Sequence, residues 1–219
     1  MIKTKLFILG FLVTVSLFAQ EIKPTIKPIV LSTNYTIKTN PFAMMLGPFI
    51  YTSEYRIAIE NKTAQKQSVQ IGFSYLGKNS LMKSIEENDS LYKANNYKYA
   101  VRGFRLQFSY RFFLDEEAPR GAYFSPHVSF SNVNIMLRQN SNVYRDNYIK
   151  GTYINYAGLF GYQIIQNSVA FDIFMGFGYR DNRWVEVDNN QTFPIDDADL
   201  YYFKKNFKMY FGFNAGIAF

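Results

Sequence analysis

The sequence predicts an all-β chain: an eight-stranded antiparallel up-and-down transmembrane β-barrel. Three observations carry this. Run after run alternates with period two, setting Phe, Tyr, Ile and Val against Gly, Ser, Gln and charged residues, and successive side chains of a strand point to opposite faces. Phe (22) and Tyr (18) supply nearly all of a 19% aromatic content, more than one small soluble core absorbs, while a mean hydropathy of -0.16 excludes a bundle of transmembrane helices. The connections alternate short and long, as they do in barrels that thread a bilayer.

The first 20 residues stand apart. Lys3 and Lys5 precede an apolar run, Leu6 to Phe18, too short for the roughly 20 residues a spanning helix needs. Ala19-Gln20 then leads into Glu21-Ile22-Lys23. Residues 1–20 read as a secretory signal peptide, cut after Ala19 or Gln20. Residues 21–35, with Pro24 and Pro28 and no clear period, read as an extended periplasmic lead-in, and residues 36–219 as the barrel. The chain has no cysteine, which excludes disulfides, thiolate metal sites and lipid-modified cysteine.

The strands follow in order. Thr36 to Leu46 is the least regular; Pro41 inside it implies an edge-like or bulged position, and its facing stays open. After the Gly47-Pro48 turn, Tyr51, Ser53, Tyr55, Ile57 and Ile59 oppose Thr52, Glu54, Arg56, Ala58 and Glu60. Past a polar turn at Asn61–Lys66, Val69, Ile71, Phe73 and Tyr75 oppose Gln70, Gly72 and Ser74. Gly77–Asn96 reads as a long polar loop with room for a helical turn. The fourth strand is the cleanest: Phe104, Leu106, Phe108, Tyr110 and Phe112 against Gly103, Arg105, Gln107, Ser109 and Arg111. After the charged turn Asp115–Arg120, Phe124, Pro126, Val128 and Phe130 oppose Tyr123, Ser125, His127, Ser129 and Ser131. Asn132–Lys150 reads as a second long loop. The sixth strand sets Ile154, Tyr156, Phe160, Tyr162 and Ile164 against Tyr153, Asn155, Ala157, Gly161 and Gln163. Beyond a tight turn at Gln166-Asn167, Val169, Phe171, Ile173, Met175, Phe177 and Tyr179 oppose Ala170, Asp172, Gly176, Gly178 and Arg180. Asp181–Asn206 reads as the longest loop. The last strand sets Phe211, Phe213, Ala215, Ile217 and Phe219 against Tyr210, Gly212, Asn214, Gly216 and Ala218.

The bulky apolar face should point outward. An eight-stranded barrel encloses just enough room for side chains, and aromatics from seven strands would not fit. Gly72, Gly103, Gly161, Gly176, Gly178, Gly212 and Gly216 share the other face with the charges, which suits a narrow polar lumen. Phe113, Leu159 and Phe174 break this rule on the polar face, and Gly158 on the apolar one. Short turns at Asn61–Lys66, Asp115–Arg120 and Gln166-Asn167 should lie in the periplasm. The long loops should be extracellular, with Gly47–Ile50 as a short fourth loop beside them.

The final strand, alternating and closing on Phe219, resembles the C-terminal strand of bacterial outer-membrane barrels. The resemblance implies that Phe219 is the assembly signal read by the barrel-assembly machinery. Ile37-Lys38-Thr39-Asn40, the strand centred on Glu54, Tyr110-Arg111-Phe112-Phe113-Leu114, Tyr123-Phe124-Ser125-Pro126 and Gly161-Tyr162-Gln163 resemble the strand signatures of small eight-stranded outer-membrane barrels of the Bacteroidota. That resemblance implies the fold and residence in the cell outer membrane after export. It implies no catalytic residue.

Glu54, Arg56, Arg105, Arg111, Asp172 and Arg180 form a charge set on the lumen face. Buried charges must be paired, so the set reads as a salt-bridged plug in preference to an ion path. His127-Val128-Ser129 loosely resembles the His-x-Ser of outer-membrane lipid A deacylases. Both residues fall on the lumen face, away from acyl chains, so the pair reads as lumen lining. Asp196, Asp197 and Asp199 match no calcium-loop spacing and read as a solvated loop. No cofactor or metal site is expected. The +7 charge is scattered among acids, which argues against nucleic acid; outer-membrane lipid and lipopolysaccharide are the expected partners of a monomer. The function expected is a non-enzymatic scaffold presenting loops for surface interaction. A lipid-modifying enzyme using His127 and Ser129, or a narrow pore, are the alternatives.

Overall fold

A computed structural model describes residues 34–45, 52–139, 142–189, 191–195 and 206–219. The signal peptide, most of the lead-in, the short loop at Gly47–Ile50 and the Asp196, Asp197 and Asp199 loop lie outside the described residues.

The described chain is a closed antiparallel barrel. Its strands are β1 (Tyr35–Thr39), β2 (Thr52–Ala64), β3 (Gln67–Lys78), β4 (Tyr97–Phe113), β5 (Gly121–Gln139), β6 (Asn142–Gln166), β7 (Val169–Asp188), β8 (Gln191–Pro194) and β9 (Phe207–Ala218). Each strand from β1 to β7 pairs with the next, β7 pairs with β9, and β9 pairs with β1, so eight strands form the ring. β8 stands outside it as a hairpin on the end of β7, from Val185 opposite Pro194 to Asp188 opposite Gln191. Closure gives most backbone groups partners within the sheet and removes the edges an open sheet would expose, except where β1 ends at Thr39 between β2 and β9.

The two faces fall as the alternation divides them. On β7, Phe171, Ile173, Met175 and Phe177 are exposed outward while Asp172 is buried. On β4, Phe104, Leu106, Phe108 and Phe112 point out, and Arg105, Gln107, Ser109 and Arg111 are buried. The ladder between β4 and β5 lapses where Tyr110 and Arg111 would meet Pro126 and Ser125; Pro126 has no N–H to give.

Three expectations change. The first strand does not run to Leu46. It begins at Tyr35, one residue inside the expected lead-in, and ends at Thr39, where a short helix α1 (Pro41–Met45) takes over. Pro41 is no bulge: it sits at the first helical position, where its missing N–H costs nothing. Asn40 caps the turn, its Oδ1 accepting from the Ala43 N–H at 2.9 Å. The loop after β3 folds into α2 (Ser80–Asn88) and α3 (Ser90–Ala94). Asn79 Oδ1 caps α2 by accepting from the Met82 N–H at 2.9 Å, and Glu86 ties the helix to β3 through Lys78 at 2.7 Å. The expected loops Asn132–Lys150 and Asp181–Asn206 are in large part strand, because β5, β6 and β7 run on past the body of the barrel. The extensions invert the code of the barrel body, since the apolar Val133 and Ile135 alternate with Asn132 and Asn134 but pack inward, as does Trp184, so polar outward residues read as loop. The wall is therefore uneven: β6 has 25 residues and β1 only 5.

Candidate functional site

The interior is organised in layers. At the long-loop end, Leu76, Val101, Val133, Tyr153 and Trp184 form a buried apolar cluster, with the Tyr153 and Trp184 rings edge to face at 5.7 Å. Toward the short-turn end, Phe113, Ala118 and Tyr123 form another, packed by Phe174. Between them lies polar and charged chemistry.

One network draws a side chain from every strand of the ring. Lys38 of β1 lies 2.5 Å from Glu60 of β2, which accepts from Ser68 of β3 at 2.5 Å. Arg111 of β4 donates to Asp172 of β7 at 2.9 Å. Tyr123 of β5 donates to the other oxygen of Asp172 at 2.7 Å. Gln163 of β6 accepts from Lys38 at 2.6 Å and from Arg111 at 2.7 Å, and donates to Glu60 at 3.0 Å. Asn214 of β9 donates to Asp172 at 2.8 Å. Two cations face two carboxylates, and the residues of this girdle are at most 3% exposed. Such a network is stable only when every member is satisfied.

A second group lies nearer the long-loop end. Glu54 accepts from Arg105 at 2.9 Å, Gln107 at 2.7 Å and Ser74 at 2.7 Å. Arg105 also donates to Ser129 at 3.1 Å. Arg180 donates to Asn155 at 3.0 Å and stacks over Tyr153 at 4.7 Å. Of the six charges singled out in the sequence, the structure joins Arg111 with Asp172 and Glu54 with Arg105. Arg180 is linked to Arg105 through Asn155 and Ser129, beside the apolar cluster at the long-loop end. Arg56 forms no ion pair among the described residues; it reaches only Asn214, at 3.4 Å.

Sequence reasoning missed Lys38 and Glu60, which anchor the girdle. Glu60 shares its parity with Glu54, so the alternation of β2 already points it inward. Lys38 needed the facing of β1, which five residues do not fix.

His127 does not serve Ser129. Its Nδ1 is 2.8 Å from the Ser109 hydroxyl across the β4–β5 ladder. Ser129 accepts instead from Arg105 and, at 3.0 Å, from Asn155. Residues two apart on one strand point the same way side by side, so a neighbour across the ladder is the nearer partner. Among the described residues, His127 Nε2 meets no hydrogen-bond partner, so no carboxylate orients the ring as acyl transfer requires.

A cavity of about 390 Å³ lies against these groups, lined among others by Glu54, Arg56, Arg105, His127, Lys208 and Phe211. The described residues hold no cluster of three metal-ligating side chains.

No protein-family model matches the chain, and no curated protein matches it. Among solved structures, a major outer membrane protein from Thermus thermophilus is similar in fold, with a TM-score of 0.51 at 8% identity. The similarity covers 84% of this chain and 98% of that one. At so low an identity the likeness speaks for the barrel fold alone.

Proposed function

We propose that this chain is a non-enzymatic outer-membrane β-barrel of the small Bacteroidota type, a scaffold that holds its long-loop end at the cell surface for interaction. One observation carries the reading: the barrel is inside out. Phe73 and Ile173 are each 56% exposed on the outside, while Glu60 and Asp172 are fully buried within. In water, so large an apolar belt would aggregate. In a bilayer it is the face lipid requires, and the strands of β2 to β7 exceed the 9–11 residues needed to cross. The fold neighbour is itself an outer membrane protein, which agrees with this reading. Lipid and lipopolysaccharide are then the outward partners, and the protein is a monomer. At the long-loop end, α2, α3 and the extended hairpins β5–β6 and β7–β8 are what a surface partner would meet.

The same reading gives Phe219 its role as the signal for the barrel-assembly machinery. Its ring stacks on Tyr35 at 6.1 Å and its N–H donates to the Tyr35 carbonyl at 2.9 Å, joining the two ends of the ring.

The test is membrane fractionation of the full chain with heat-modifiable migration on SDS gels. Folded wild type should sediment with the outer membrane, and Phe219→Ser should lower its amount. Soluble wild-type protein would overturn the proposal. Mass spectrometry of lipid A from cells with and without the protein checks the non-enzymatic part; an acyl chain lost only when wild type is present, and kept with His127→Ala, would overturn that.

A further inference from the structure

The barrel wall has a weak seam. β1 pairs with β2 only over Tyr35–Lys38, opposite Asn61–Ala58. It pairs with β9 only over Thr36–Thr39, opposite Ala218–Ala215. Beyond Thr39, among the described residues, no strand lies between β2 over Thr52–Ile57 and β9 over Phe207–Asn214. α1 packs there against both. The Thr39 hydroxyl donates to the Arg56 carbonyl at 2.8 Å, a side chain standing in for a ladder bond. Phe42 meets Phe211 edge to face at 6.4 Å.

The interior cavity reaches through this seam. On β9 it is lined by Tyr210 and Asn214 and also by Met209 and Phe211. Those two pairs belong to opposite faces of the strand. A cavity enclosed behind an intact wall touches only the inward face. Phe42 and Ala43 of α1 complete the mouth.

Its chemistry is cationic. Glu54 is the carboxylate in the lining, and it is fully engaged by Arg105, Gln107 and Ser74. Arg111 is matched by Asp172. Arg56 and Lys208 remain, with no ion pair to either among the described residues. Arg56 is 6% exposed, and its Nε has no hydrogen-bond partner. Lys208 lies over the Tyr210 ring at 4.8 Å. The lining thus holds more cationic than anionic charge, with Arg56 buried and Lys208 half-buried, and an anion in the cavity would offset the cost of desolvating them.

We infer that this cavity binds the anionic head group, carboxylate or phosphate, of a single-chain amphiphile whose tail leaves the barrel between α1 and β9. The inference rests on the outer-membrane reading, which supplies a lipid phase at the mouth. Phe42, Met209 and Phe211 give that mouth an apolar lip. A small hydrophilic anion has no matching entrance, whereas an amphiphile enters head first from the side. The volume suits a head group and the first part of a chain.

The test uses the full chain, folded in nanodiscs of zwitterionic lipid, with the fluorescent fatty acid cis-parinarate as probe. Wild type should bind it saturably. Oleate and lysophosphatidate should displace it; oleyl alcohol and inorganic phosphate should not. Arg56→Gln and Lys208→Gln should each weaken binding at least about tenfold, the loss of one charge-assisted contact. Lys98→Gln, exposed on β4 away from the cavity, should leave it unchanged. Ala43→Trp blocks the mouth without touching a charge and should also weaken binding, which keeps the test decisive if a glutamine variant fails to fold. Equal displacement by oleyl alcohol, or unchanged binding in folded Arg56→Gln, Lys208→Gln and Ala43→Trp proteins, would overturn the inference. Displacement by inorganic phosphate but not by oleate would replace the amphiphile with a small aqueous anion. Folded protein in the outer-membrane fraction that binds no parinarate defeats this inference alone; soluble wild type defeats the reading beneath it.

Discussion

Lys38 and Glu60 lie 2.5 Å apart with neither side chain exposed, and this pair fastens the shortest strand of the barrel to its neighbour. β1 has five residues and short ladders on both sides, so backbone pairing alone holds it weakly. Lys38 adds contacts to Gln163 and Asp172 on the far side of the interior. The strand that closes the ring is thus tied across its centre.

Removing one member of the pair leaves a buried charge uncompensated. Lys38→Met should lower stability by about 3–5 kcal/mol, and Glu60→Gln should cost less because the amide still accepts from Ser68. The double variant should recover part of the Lys38→Met loss, since the two residues are coupled. Urea titration of the folded barrel in detergent, read by heat-modifiable migration, measures all three. Additive losses in the double variant would show that the pair does not act as a unit.

The glycines inside the barrel answer a different need from the one their count suggests. As small residues among polar ones they read as the lining of a narrow lumen. The structure shows what they make room for. Tyr123 lies across from Gly161, Phe174 across from Gly212 and Trp184 across from Gly151. In each pair a Cβ on the glycine would run into the ring opposite. Phe174 and Leu159, two of the large residues that broke the sequence rule, are inward because cross-strand glycines, Gly212 and Gly176, accommodate them; Phe113 packs instead on the Tyr123 ring.

Gly161→Ala tests this. The added methyl should push the Tyr123 ring from its seat and lengthen its bond to Asp172, costing about 1–3 kcal/mol as overpacking does. Tyr123→Phe keeps the ring and loses only the hydroxyl, about 1 kcal/mol. Combining Gly161→Ala with Tyr123→Ala should cost less than the sum of the two single changes, because the clash with the ring is gone and only that with the Ile173 carbonyl, at 2.7 Å, remains. Urea midpoints of the four proteins decide it.

Much of this was legible because membrane barrels write their facing in every strand. Across the body of the barrel from β2 onward, the alternation of bulky apolar against small or polar residues gives most inward side chains, including Arg105, Arg111 and Asp172, while Val133 and Trp184 in the strand extensions escape it. What was not legible lies where that code lapses. Thr36–Leu46 carries too few alternations to set a facing, and Pro41 suits a bulge as well as a helix start; only Asn40 before it hinted at a cap. The girdle was hidden for another reason. Alternation says which residues enter the interior, while register says which of them meet, and Glu60 joins Lys38 and Gln163 through pairings that no single strand records.

The outward face gives a separate expectation. Phe108 and Ile173 are about half exposed on the belt, so Arg at either should cost about 2–4 kcal/mol near the bilayer midplane. Lys98→Glu, exposed where β4 begins, should cost far less. Folding yields into lipid vesicles, compared with wild type, check this. Equal tolerance at Phe108 and Lys98 would count against a lipid-facing belt.

The last expectation concerns conduction and separates the scaffold from a pore. An aqueous path would have to cross the girdle of Lys38, Glu60, Arg111, Gln163 and Asp172, whose members are at most 3% exposed and bonded to one another across the interior. It would also have to pass the apolar clusters at either side. The cavity at Arg56 opens sideways between α1 and β9 and adds nothing to an axial route. Purified protein in planar bilayers should therefore show rare, brief openings at most. Glu54→Ala removes the acceptor shared by Arg105, Gln107 and Ser74, so its effect should fall on stability, about 3–5 kcal/mol for a broken buried pair, with conductance nearly unchanged. Steady wild-type conductance on the nanosiemens scale, altered by Glu54→Ala or Arg111→Ala in folded protein, would mean that the girdle opens and that the barrel is a pore.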